Sequence, residues 1–114
     1  MKNILVLKLS ENHENNHNSI EERAKGDWKI SPKRLDDVEY VFVLENSKVI
    51  GTYKLGEKMQ YNRSTGRVSD LEFIKTHDMD DMKGQLVSYP TSNPATLATL
   101  GKLKDKVLLQ SKKI

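Results

Sequence analysis

Two strand-forming blocks separated by three polar residues set the frame of this chain. Glu39 to Leu44 (EYVFVL) and Lys48 to Leu55 (KVIGTYKL) flank Glu45-Asn46-Ser47. Branched and aromatic residues favour extended backbone, and so short a polar link turns the second block back beside the first. The pair therefore predicts an antiparallel hairpin with a three-residue turn. Gly51, inside the second arm, marks a bulge or a close backbone approach. Asn3 to Leu9 (NILVLKL), rich in branched apolar residues, predicts a buried first strand.

Punctuation residues divide the remainder. Ser10 to Asn18 (SENHENNHN) has no apolar residue and reads as a solvated loop. Ser19 with Glu22 three positions later forms a capping box, opening a short helix through Ala24 that Gly26 terminates. Ser31-Pro32 repeats the start signal and predicts a second short helix over Pro32 to Asp37. Gly66 to Lys75 reads as one strand entered through a turn at Asn62 to Gly66, and Asp78 to Met82 as a single helical turn. Gln85 to Tyr89 is a short strand ended by Pro90. Thr91 to Pro94 is turn chemistry, with Asn93-Pro94 opening a short helix. The tail from Leu103 to Leu109 suits a closing strand or a last helix. These elements sum to an α+β fold, a small curled sheet or partly open β-barrel of about five strands with two or three short helices. At 114 residues the chain reads as a single domain, 1–114.

Several function classes drop out on chemistry. With no cysteine there is no disulfide scaffold, thiolate zinc site or cysteine nucleophile. No apolar run approaches the ~20 residues of a membrane span, and Met1 to Leu9 reads as a strand and not as a signal peptide. A cytoplasmic setting with no membrane partner follows as the expectation. His13-Glu14-Asn15-Asn16-His17 matches H-E-x-x-H, which holds zinc only when a helix brings both imidazoles to one side. The surrounding asparagines disfavour that helix, and no third ligand is evident, so the match reads as chance. The glycines are scattered, with no phosphate loop after a strand. Asp36-Asp37 and Asp78-x-Asp80-Asp81 lack the pattern of a calcium loop. The expectation is a binding protein without cofactor or metal, and not an enzyme.

Charge carries more information. The net +3 is mild, but Arg23, Lys25, Lys29, Lys33 and Arg34 fall within twelve positions around Trp28, the only tryptophan. A second basic group, Lys102 to Lys113, closes the chain, with an acidic knot at Asp78, Asp80 and Asp81 between. An aromatic face among cations suits a stacked base and its phosphate. Backbone N–H groups after Ser31 suit an anion.

The stretch RAKGDWKISPKRLDDVEYVFVLENSKVIGTYKL, Arg23 to Leu55, resembles a recurrent bacterial and phage module. That module has a cation-x-x-Gly-x-Trp-Lys/Arg-x-Ser segment, an Arg/Lys-rich helical turn and two strands, and it accompanies nuclease domains. Its general look is that of PUA-like barrels of the EVE and ASCH type. The similarity continues weakly through Gly66-Arg67-Val68 and Ser92-Asn93-Pro94. It departs at Asn46-Ser47, where the module has a glycine, and near Met59, where it has a tryptophan. The resemblance implies a nucleic-acid binder, DNA or RNA, with some members reading modified bases. Its ligand residues here would be Arg23, Lys25, Trp28, Lys29, Ser31, Lys33 and Arg34, with Tyr53 or Tyr61 as further stacking faces. The alternative reading is a small phage- or mobile-element-encoded inhibitor or adaptor that binds a host enzyme. An exposed sheet edge would also support a homodimer.

Overall fold

The computed structural model describes residues 3–9, 20–89 and 94–107. Its centre is a mixed five-stranded sheet. Strand β1 (Ile4–Leu9) pairs in parallel with β2 (Tyr40–Glu45) and antiparallel with β7 (Ala95–Ala98). Strand β3 (Lys48–Leu55) returns antiparallel along β2, and β6 (Phe73–Lys75) adds to its far side, giving the order β6-β3-β2-β1-β7. A separate two-stranded hairpin joins β4 (Gln60–Asn62) to β5 (Arg67–Ser69).

β1 lies inside the sheet between β2 and β7, and its successive side chains enter different cores. Leu5 and Leu7 join Val41, Val43 and Tyr53 on one face, packed by Ala24, Trp28, Ile30, Leu35 and Val68. Ile4 and Val6 join Phe42, Leu44 and Val49 on the other, packed by Met82, Val87 and Leu103. The first cover comes from the β1–β2 crossover, which contains α1 (Ile20–Ala24) and a 3₁₀ turn at Pro32–Leu35. The second comes from a 3₁₀ turn at Asp80–Met82, the segment around Val87, and α2 (Leu100–Asp105). Thr99 caps α2 by accepting the Lys102 backbone N–H at 3.2 Å. Burial on both faces explains the unbroken apolar run from Ile4 to Leu7.

Several expectations change. The sheet is open: β6 and β7 are its two edges and it does not close into a barrel. The hairpin turn is two residues, because Glu45 already pairs with Lys48. Asn46 and Ser47 both take positive φ, 52° and 67°, as a two-residue primed turn requires. The β2–β3 register shifts between Val43 and Leu44, with Gly51 opposite Val43. A side chain at Gly51 would meet the Tyr53 ring at 2.9 Å, so the bulge and the close approach coincide there.

Gly66 to Lys75 is two strands in two sheets. Asp70, at φ 53°, breaks the segment between β5 and β6. Gln85 to Tyr89 contributes only isolated bridges, Lys48 with Leu86 and Val87 with Val107, in place of a strand. Pro94 leads into β7 and not into a helix, and Asn93 lies outside the described residues. The Pro32 helix is a single 3₁₀ turn, and Ser31 makes no side-chain cap bond. His13, His17, Ser19 and the tail beyond Val107 lie outside the described residues. Among the described residues no helix is long and apolar enough to cross a membrane.

Candidate nucleic-acid interface

The segment after α1 runs as an extra strand-like rung. Trp28 donates its backbone N–H to the Val68 carbonyl and accepts the Val68 N–H, both at 2.9 Å, which ties the crossover to β5. Gly26 permits this approach: a side chain there would lie 2.7 Å from Ser69 Cα and 2.8 Å from the Val68 carbonyl oxygen. The Trp28 ring sinks into the first core at 8% exposure, and its indole N–H donates to the Ala24 carbonyl at 2.7 Å.

Joining these elements creates a cleft of about 570 Å³. Leu9, Trp28, Pro94 and Ala95 give it apolar surface. Lys8 at the end of β1, Lys29 beside Trp28, Arg34 on the 3₁₀ turn and Arg67 on β5 supply cations, and Asp27 a single carboxylate. A second pocket of about 410 Å³ shares Asp27 and Arg67 with the first. It is built on the β4–β5 hairpin and adds Arg63 together with Gln60, Asn62, Thr65, Ser69 and Tyr61. The two pockets thus hold five cationic side chains against one carboxylate, whereas the whole chain carries a net +3. The surplus positive charge is concentrated here. Among the described residues, Lys29, Arg34, Arg63 and Arg67 form no ion pair, so no carboxylate neutralises them in place. Unpaired cations crowded on one side attract a polyanion.

The expected site residues divide accordingly. Lys29 and Arg34 meet in the cleft, whereas Trp28 lines it from within the core: its ring is buried and does not offer the open stacking face expected of it. Lys25, Ser31 and Lys33 are exposed but do not line it, and Arg23 belongs to α1 with its side chain outside the described ones. Of the aromatic faces, Tyr53 is 7% exposed and donates its hydroxyl to Glu21 Oε1 at 2.6 Å, so it is part of the core. Burial, reinforced by that bond, pushes its phenol well above the ordinary range. Tyr61 is the opposite case, 43% exposed on β4. Lys8, Arg63 and Arg67 were missed. Gly66-Arg67-Val68 carried the one usable signal, since Arg67 precedes the residue that pairs with Trp28.

Two carboxylates of the acidic knot are spent locally. Asp78 accepts the Tyr40 hydroxyl at 2.8 Å and faces Lys54 at 3.7 Å, while Asp80 meets His77 at 2.9 Å and Lys83 at 3.6 Å. The Tyr40 bond lowers the Asp78 carboxyl, and the His77 bond lowers that of Asp80.

No protein-family model, curated protein or solved structure matches this chain.

Proposed function

We propose that the protein is a non-catalytic nucleic-acid-binding module, a PUA-like variant with an open sheet, and that its ligand site is the cleft above Trp28. One observation carries the reading. Four cations from four separate parts of the chain, Lys8, Lys29, Arg34 and Arg67, surround a single cleft with apolar surface at its floor. Phosphates pair with cations so placed, Lys29, Arg34 and Arg67 among them, and the apolar floor suits a sugar or base face. The test is titration of the full chain with DNA and RNA at low and moderate salt. Affinity falls steeply with salt, and Arg34→Ala and Lys29→Ala each reduce the salt slope by about one phosphate contact. Binding indifferent to salt, or to both substitutions, overturns the reading.

A second reading, a protein partner added along the sheet edge, is favoured by Ile74, 45% exposed on the edge strand β6. It requires a complex that survives nuclease treatment and is lost with Ile74→Asp.

A further inference from the structure

We infer that the two pockets form one track for a single-stranded nucleic acid, with an unpaired base stacked on Tyr61. This rests on the cleft being the nucleic-acid site, and it names which polymer the site takes.

Arg67 and Asp27 line both pockets, so the pockets are adjacent compartments with a common rib. Each lies in the size range of small-ligand sites, at about 570 and 410 Å³. Their chemistry differs. The first combines cations with apolar surface, which suits a phosphate and the sugar beside it. The second is lined chiefly by hydrogen-bonding side chains, among them Gln60, Asn62, Thr65 and Ser69. Asn62 Oδ1 accepts the Ser64 N–H at 2.9 Å, which fixes the side chain and leaves its NH₂ group as a donor.

Tyr61 belongs to this second compartment. With Ile74, it is one of two large apolar side chains exposed among the described residues. A half-exposed phenol can donate its hydroxyl to a phosphate, but that contact leaves the ring face of Tyr61 uncovered. The ring gains from a base whose face and edge are both accessible, and in a duplex the faces are stacked and the pairing edges occupied. A duplex would engage the cations of the two compartments through its phosphates and leave the Tyr61 ring without a base. A single strand adds that contact, with phosphates on Lys29, Arg34 and Arg67 and a base on Tyr61.

The experiment is fluorescence anisotropy of a labelled short oligothymidylate, free and annealed to its complement, with the full chain and with Tyr61→Ala, Tyr61→Phe and Arg34→Ala. Melting curves check that each variant is folded. The single strand binds at least about tenfold tighter than the duplex. Tyr61→Ala loses about tenfold on the single strand and nothing on the duplex, whereas Tyr61→Phe, which keeps the ring, retains binding. Equal affinity for the two forms, or an equal loss on both in Tyr61→Ala, overturns the single-strand assignment. If Arg34→Ala still weakens a salt-sensitive interaction in that case, the nucleic-acid reading stands without it. No binding of either form at low salt removes both.

Discussion

Trp28 Nε1 donates to the carbonyl of Ala24, the last residue of α1, at 2.7 Å inside the core. A helix leaves its final carbonyls without intrahelical partners, so the indole acts here as a C-terminal cap from four residues downstream. The tryptophan thereby holds the crossover in the shape that brings Lys29 and Arg34 to the cleft.

Trp28→Phe keeps a ring but orphans the Ala24 carbonyl, and should cost about 1–3 kcal/mol of stability. Trp28→Ala adds a cavity and should cost about 3–5 kcal/mol. Denaturant titration measures both. Where folded, Trp28→Phe should weaken oligonucleotide binding less than Arg34→Ala does, because in the proposed site the ring would be floor and the guanidinium a phosphate contact.

The Tyr53–Glu21 bond makes stability sensitive to alkali. The Tyr53 phenol is raised above its ordinary value of 10.0 in the folded state. The folded protein therefore keeps this proton where the unfolded chain loses it. The contribution is complete below about pH 10 and drains away as pH rises above it. Tyr40, raised by its bond to Asp78, acts in the same direction from a more exposed position. Melting temperature should fall above pH 10, and Tyr53→Phe should flatten most of that fall while lowering stability at neutral pH.

Ser47 sits at φ 67° in a two-residue turn and accepts the Val87 N–H through its carbonyl at 2.8 Å. A left-handed conformation costs a non-glycine residue about 1–2 kcal/mol, and glycine returns about 0.4–1 of it through the unfolded chain. Ser47→Gly keeps the carbonyl bond and should raise stability by about 0.5–1 kcal/mol, read as a higher denaturant midpoint with an unchanged slope.

Thr52 is 2% exposed, and its Oγ1 has no hydrogen-bond partner among the described residues. Removing a buried, unpaired hydroxyl while keeping branched shape is favourable, so Thr52→Val should stabilise by about 1 kcal/mol. An unchanged or lower melting temperature would mean that the hydroxyl is satisfied in solution.

The parts of this fold that were legible in sequence are those whose side chains declare their surroundings. β1 and the β2–β3 hairpin are dense apolar blocks with a polar turn, and both stand where those blocks place them. The misread parts are decided by one backbone angle or by distant partners. GRVSDLEFIK looks continuous until Asp70 takes φ 53° and sends its halves to different sheets. β7 is only Ala95–Ala98, too short for a period, and exists because β1 offers it an edge. The site follows the same rule. Lys29 and Arg34 were visible as a local cluster, whereas Lys8, Arg63 and Arg67 arrive through the sheet and the Trp28–Val68 bridge.

Asp27 is the one carboxylate in a cleft of cations, and its sign makes it informative. If the ligand is a phosphate chain passing over the rib shared by both pockets, this carboxylate opposes it. At about 8 Å through water the repulsion is about 0.5 kcal/mol, a factor of about two in affinity. Asp27→Asn keeps the shape, so oligonucleotide binding at low salt should tighten about twofold. The gain should vanish at high salt as the charges are screened. A loss of affinity in place of that gain would mean that the carboxylate accepts a hydrogen bond from a base or ribose. The loss would then persist at high salt and differ among oligonucleotides of different base, which separates a reading group from a repelling one.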